Sequence, residues 1–266
     1  MGNIYYAPLL NSMRWSYSRL TSFENCAYSW YSRYLYGEEE AENFYSSYGS
    51  LVHGLLERYF KGNLRADELP IEFVEGFYAD VAHLAYDGSI ADKYMAAGHD
   101  YFINFSPPPY DVVGVEEKIE FEMDGNTFVG IVDLVGREPD GSGLVIIDHK
   151  SRSLRCRSNR KTPTKTDEEL DKYLRQLYLY SVGVYKKYGE LPTSLCFNCF
   201  RTGTFIKEPF CIDAFEETKK WATNLIEEIK NTEVFRPTLD WFYCTNLCGF
   251  RDTCCYYNDL MRGGGR

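Results

Sequence analysis

Two Asp-Gly pairs, at 124–125 and 140–141, split the stretch from 111 to 150 into three strand-like segments. Asp-Gly is a favoured two-residue hairpin loop, because both loop positions need positive φ. A loop at Asp124 and Gly125 sets Glu116 opposite Asp133. A loop at Asp140 and Gly141 sets Asp133 opposite Asp148. Directly opposed residues share a sheet face with Cβ atoms about 5 Å apart. Glu116, Asp133 and Asp148 would then form a row across three strands. Side chains alternate along a strand, so Lys150 joins Asp148 on that face and His149 points away. Pro139 and Gly143 allow a longer second loop, which could slip the register.

Clustered carboxylates repel one another unless positive charge sits among them. A hard divalent cation held by carboxylate oxygens is the natural partner. The competing reading is a solvated acidic sheet face. The apolar run "LVII" leading into Asp148 and the ammonium of Lys150 both argue against it.

The 266 residues are enough for one large domain or two small ones, and 44% hydrophobic content can bury a sizeable core. No run of 18 apolar residues occurs, so no membrane span is expected. The opening "MGNIYYAPLL" lacks the regions of a signal peptide and has Tyr6 where a myristoylation signal needs Ser or Thr. A soluble, cytoplasmic protein is the expectation. The formal net charge of −10 argues against nonspecific coating of nucleic acid, though not against a local basic strip. Nine cysteines at uneven spacing favour metal ligation or free thiols over a disulfide framework.

Periodicity predicts a tyrosine-rich helix over 16–36 and another over 48–61. Helical material continues over 70–103 until "SPPPY" stops it. A helix beginning at 167 carries acids at its start and lysines near its end. A hairpin over 193–211, a helix over 212–231 and a cysteine-rich tail complete the chain.

Four stretches in order, "GSLVHGLLE" (49–57), "GIVDLV" (130–135), "VIIDHKS" (145–151) and "QLYLY" (176–180), resemble the PD-(D/E)XK nuclease superfamily. The resemblance is to its RecB-like exonuclease branch, which includes CRISPR-associated exonucleases and AddAB nuclease domains. It implies an α/β, restriction-endonuclease-like core, a small mixed sheet flanked by helices. It implies one nuclease domain over 1–266, comprising a helical part (1–110), a catalytic sheet with the Gln/Tyr helix (111–211) and a helix with the cysteine tail (212–266). His53, Asp133 and Asp148 would be metal ligands, with the His149 carbonyl adding another. Lys150 would position the attacking water and stabilise the phosphate. Gln176 and Tyr180, one helical turn apart, would support the site and contact substrate. Glu116 stands outside the family's firm ligands, as a supporting or second-metal carboxylate. Bound Mg²⁺ or Mn²⁺ would acidify water and polarise the phosphoryl oxygen. The His53 imidazole leans the preference toward Mn²⁺.

Cys26, Cys244, Cys248 and Cys254 match the four positions that hold a [4Fe–4S] cluster in many members of this branch. Three residues rather than two separate Cys244 from Cys248, and Cys255 rivals Cys254. Four thiolates could equally hold Zn²⁺. Cys196 and Cys199 are read as core. Residues 149–166 contain seven Lys and Arg and no acid. Such a strip suits phosphate contacts, or is simply a solvated loop. Most of the 23 tyrosines are read as core rather than as base-stacking platforms. The expected function is an exonuclease on single-stranded DNA or DNA ends, in repair, recombination or CRISPR and phage DNA processing. Its rivals are a structure-specific endonuclease and a DNA-end-binding module working with a helicase or integrase partner.

Overall fold

The computed structural model of the protein describes residues 5–257. Residues 1–4 and 258–266, the outer ends of the predicted helical part and cysteine tail, lie outside the described residues. Five strands form one mixed sheet in the order β1-β2-β3-β4-β5. They are β1 (Asp111–Met123), β2 (Asn126–Arg137), β3 (Leu144–His149), β4 (Pro192–Cys199) and β5 (Thr204–Pro209). The helices are α1 (Ala7–Asn11), α2 (Tyr17–Asn25), α3 (Ala27–Tyr31), α4 (Phe44–Phe60), α5 (Leu69–Gly76), α6 (Gly88–Ile103), α7 (Lys165–Tyr188) and α8 (Ile212–Asn231). No helix among the described residues is long and apolar enough to cross a membrane.

The first turn is the predicted two-residue loop, with Asp124 at φ 48 and Gly125 at φ 73. The second loop takes the longer form that Pro139 and Gly143 allow. The Glu138 N–H donates to the Gly143 carbonyl at 3.0 Å, so four residues, 139–142, make the turn. The extra residues fall one on each side of Asp140 and Gly141, so the register does not slip. Leu134 pairs with Ile147 and Arg137 with Leu144, as the shorter loop would have required. β3 runs parallel to β4, and α7 makes the crossover that parallel strands need.

The chain divides into two compact units. One comprises residues 44–121 and 129–218 and contains nearly all of the sheet. Phe44, Tyr48, Val52, Leu55 and Leu56 form the buried stripe of α4 and pack with Phe73, Phe77, Phe102 and Phe200. Each such side chain, fully buried, contributes roughly 1.5–3 kcal/mol. A second cluster joins Leu134, Val145, Ile147 and Cys196 through the sheet, so Cys196 is core as read.

The other unit comprises residues 1–43, 122–128 and 219–266. Its centre is Trp30, stacked on Trp15 and Phe235 at centroid distances of 6.5 and 5.7 Å. The single helix expected over 16–36 is broken at Cys26, whose backbone is extended (φ −160, ψ 107). The break ends α2 and starts α3 at the same residue, leaving the Cys26 thiol between two helix termini.

Candidate active site

β3 is buried along its whole length and delivers Asp148, His149 and Lys150 to the carboxyl end of two parallel strands. Strand alternation sends His149 away from the two charged side chains. Its ring stacks on Phe60, and its Nδ1 lies 3.0 Å from Asn198 Nδ2. Asp148 is only 3% exposed. Its Oδ1 accepts from Gln176 Nε2 at 2.8 Å, and Gln176 Oε1 accepts from Lys150 Nζ at 2.7 Å. Lys150 Nζ also approaches Asp148 Oδ2 to 2.7 Å as an ion pair, although that buried oxygen receives no well-directed hydrogen bond. The amide of Gln176 therefore holds carboxylate and ammonium together from opposite ends of one side chain.

Gln176 sits on α7, and its Nε2 reaches the Tyr180 hydroxyl, one turn on, at 3.4 Å. The Tyr180 ring lies over Gly130 of β2, where an added Cβ would come 2.6 Å from Cε1. Gly130→Ala should therefore push the ring, and Gln176 with it, off the carboxylate. Overpacking of this kind costs about 1–3 kcal/mol. A lowered melting temperature with roughly tenfold slower turnover is expected. A variant unchanged in both would show that Tyr180 is not held there.

His53 projects from α4. Its Nε2 donates to the His149 carbonyl at 2.8 Å, which assigns the unprotonated nitrogen to Nδ1. That Nδ1 lies 3.4 Å from Asp133 Oδ2. The same oxygen accepts the His149 backbone N–H at 2.7 Å. Burial lowers the His53 pKa, so the ring is neutral at pH 7 and free to ligate. Burial pushes the Asp133 carboxyl well above the usual carboxylate range, and the neighbouring Asp148 charge adds to the rise. Glu116 is raised by burial and then by Glu57 and Asp148. Ligand atoms of His53, Glu116 and Asp133 all lie within 4.8 Å of one another.

This donor set fits a divalent cation. Two lone-pair donors, Nδ1 and Oδ2, face each other across a gap that needs a proton or a metal between them. The spacing suits donors sharing an ion bonded at 2.0–2.5 Å. Glu116 comes closer to this centre than expected, while Asp148 turns toward Lys150 and Gln176. Glu116 also has φ 51, a rare conformation for a residue with a side chain. No sequence signal marks that conformation.

The basic stretch after Lys150 is pinned at several points. Leu154 is buried, and Ser158 donates through N and Oγ to the Asp167 carboxylate at 2.7 and 2.6 Å. Thr164 and Asp167 form a capping box at the start of α7. Arg157 is tied to Asp171 and Glu208, and Arg152 to Glu169 and the Tyr173 hydroxyl. Arg155, Arg160, Lys161 and Lys165 are exposed and make no ion pair among the described residues.

In the other unit, Cys26, Cys244, Cys248 and Cys254 line one cavity with Tyr28 and Tyr243. Cys255 is exposed and meets the Tyr28 hydroxyl at 3.7 Å. Burial pushes the Cys248 thiol up to about 11, and the charges of Cys26, Cys244 and Cys254 add to the rise. Among the described residues no three thiols gather within 4.8 Å, as the His53 group does. Tetrahedral zinc would hold its sulfurs about 3.8 Å apart.

A crystal structure of a proposed exonuclease from Eubacterium rectale is similar, with 17% identity and a TM-score of 0.49, over 100% of this chain and 93% of that one. A search of curated proteins returned no match. The family model of the PD-(D/E)XK nuclease superfamily matches residues 14–255. With that match spanning most of its length, the chain belongs to the PD-(D/E)XK nuclease superfamily.

Proposed function

We propose that the protein is a metal-dependent deoxyribonuclease that removes nucleotides from the ends of single-stranded DNA. The observation that carries this reading is the linked set Asp148–Gln176–Lys150 beside His53, Glu116 and Asp133. Asp133, Asp148, Glu116 and His53 would hold Mg²⁺ or Mn²⁺. When bound, the ion supplies an acidified water and charge relief at the phosphate. Lys150 orients the attacking water and meets the charge that develops on the phosphoryl oxygens. Gln176 fixes the Lys150 rotamer by accepting from Nζ. Tyr180, buried and with its pKa raised by burial, stays a neutral phenol and closes the site against bulk water. The exposed cations Arg155, Arg160, Lys161 and Lys165 give a phosphate track beginning at Lys150. Such an activity would serve DNA repair, recombination or phage DNA processing.

Linear and circular single-stranded DNA of equal sequence, offered with Mn²⁺, test the reading. Loss of the linear strand alone is expected. Cutting of circles would make the enzyme an endonuclease, and cleavage of RNA at equal rate would remove the preference for DNA.

The four cavity-lining cysteines are proposed to hold a [4Fe–4S] cluster, with Cys255 outside it. Four thiolates are what such a cluster requires, and the raised pKa values of Cys244, Cys248 and Cys254 mean that ligation must displace protons. Anaerobically purified protein should show broad visible absorbance and about four irons per chain. Cys248→Ser should lose both, whereas Cys255→Ser should keep them. Stoichiometric zinc without colour would reverse the assignment.

A further inference from the structure

The cations around the catalytic sheet are mostly neutralised by acids. Arg58 pairs with Glu72 at 2.8 Å, Arg137 with Glu190 at 2.6 Å and Lys207 with Glu138 at 2.6 Å. Arg201 is different. It lies just past the end of β4, is half-buried, and makes no ion pair among the described residues. Its Nε donates to the Ser151 carbonyl at 2.8 Å, and its guanidinium lies 5.2 Å from the Tyr94 ring centre.

Those two contacts fix the side chain and leave both terminal nitrogens without a hydrogen-bond partner among the described residues. The Phe200 N–H donates to the Lys150 carbonyl at 3.1 Å, so Arg201 and Lys150 leave neighbouring parallel strands at the same end. Ligands of α/β sheets collect at such carboxyl ends. The charge of Arg201 reaches the phenols of Tyr45, Tyr48 and Tyr94. Beside them Tyr86 is 63% exposed, with its hydroxyl bonded to Tyr45. A guanidinium held by those two contacts and in no ion pair among the described residues, with an exposed ring bonded to one of the phenols its charge reaches, has the chemistry that grips a phosphodiester and stacks its base.

We infer that Arg201 is a substrate clamp. It binds the phosphate adjacent to the scissile one, and the Tyr86 ring stacks on the nucleobase between them. This rests on the nuclease reading above and assigns the path of the strand, from Lys150 over the turn between β4 and β5.

Binding of a fluorescent oligothymidylate is measured by anisotropy in EDTA across a salt series, with turnover followed separately in Mn²⁺. Arg201→Met should weaken binding roughly tenfold or more. It should also lower the salt slope by about 0.7, the share of one single-strand phosphate. Arg201→Lys should keep the slope, because the charge remains, while losing part of the affinity. A role confined to holding the Ser151 carbonyl would make the two variants equally damaging and leave the slope unchanged, which overturns the clamp. A probe independent of folding uses the wild-type protein and an oligonucleotide with one neutral methylphosphonate beside the cleaved linkage. KM should rise about tenfold or more for one flanking position. Equal KM at both flanking positions overturns the clamp and leaves the nuclease reading standing. Wild-type protein that neither binds nor cuts DNA overturns both.

Discussion

Asp133→Asn should abolish cleavage and, at the same time, raise the melting temperature of the metal-free protein. Asp133 is buried beside Asp148, and burial with that neighbouring charge holds its carboxyl well above the usual range. A carboxyl whose folded pKa is raised contributes stability below its unfolded pKa and loses it as pH rises through the folded value. At pH values above the unfolded pKa that raised carboxyl therefore weighs on the fold. Asparagine keeps an oxygen for the His149 N–H, which donates to Asp133 Oδ2 at 2.7 Å, and removes the charge. Each kcal/mol recovered is worth about 2–4 °C in a chain of this size. The gain should shrink as pH falls, because the wild-type carboxyl then protonates. Cleavage should fall by about 10³-fold or more, beyond the 10–100-fold typical of losing a ligand's supporting partner. Parallel pH series of melting and cleavage check this. A variant that loses stability together with activity would show that the charge is already compensated within the fold.

Mn²⁺ should stabilise the wild-type protein strongly at pH 8 and weakly at pH 5.5. His53 Nδ1 and Asp133 Oδ2 face each other at 3.4 Å, so a proton and a metal compete for one gap. Raised carboxyl pKa values at Asp133 and Glu116 strengthen the proton's side of that competition. Each proton displaced makes affinity about tenfold weaker per pH unit below the carboxyl's pKa. At about 100-fold excess over Kd, binding adds about 2.7 kcal/mol, or about 5–10 °C. Differential scanning fluorimetry with and without Mn²⁺ measures it. An equal shift at both pH values, or one retained in Asp133→Asn, would place the metal elsewhere.

Much of the arrangement is legible in the sequence because strands repeat every two residues. Asp148 and Lys150 share a face for that reason alone, and Gln176 and Tyr180 meet because four residues make one helical turn. The pairing of β2 with β3 survives the longer loop, since the two added residues are split evenly about Asp140 and Gly141. Features that depend on backbone departures are not legible. The extended Cys26 that splits a predicted helix and the left-handed Glu116 in mid-strand have no composition signature. Arg201 is hidden for another reason. It makes no ion pair among the described residues, and that is set by tertiary packing. The basic strip reads as one run in sequence, yet Arg152 and Arg157 are consumed in anchoring it.

The most direct measurement is cleavage of an end-labelled single-stranded oligonucleotide by the purified protein in Mn²⁺, Mg²⁺ or EDTA, with Asp148→Asn alongside. The account predicts stepwise shortening with either metal, none in EDTA, and none from the folded variant. Shortening that survives Asp148→Asn, or folded wild-type protein that cuts nothing with either metal, would contradict it.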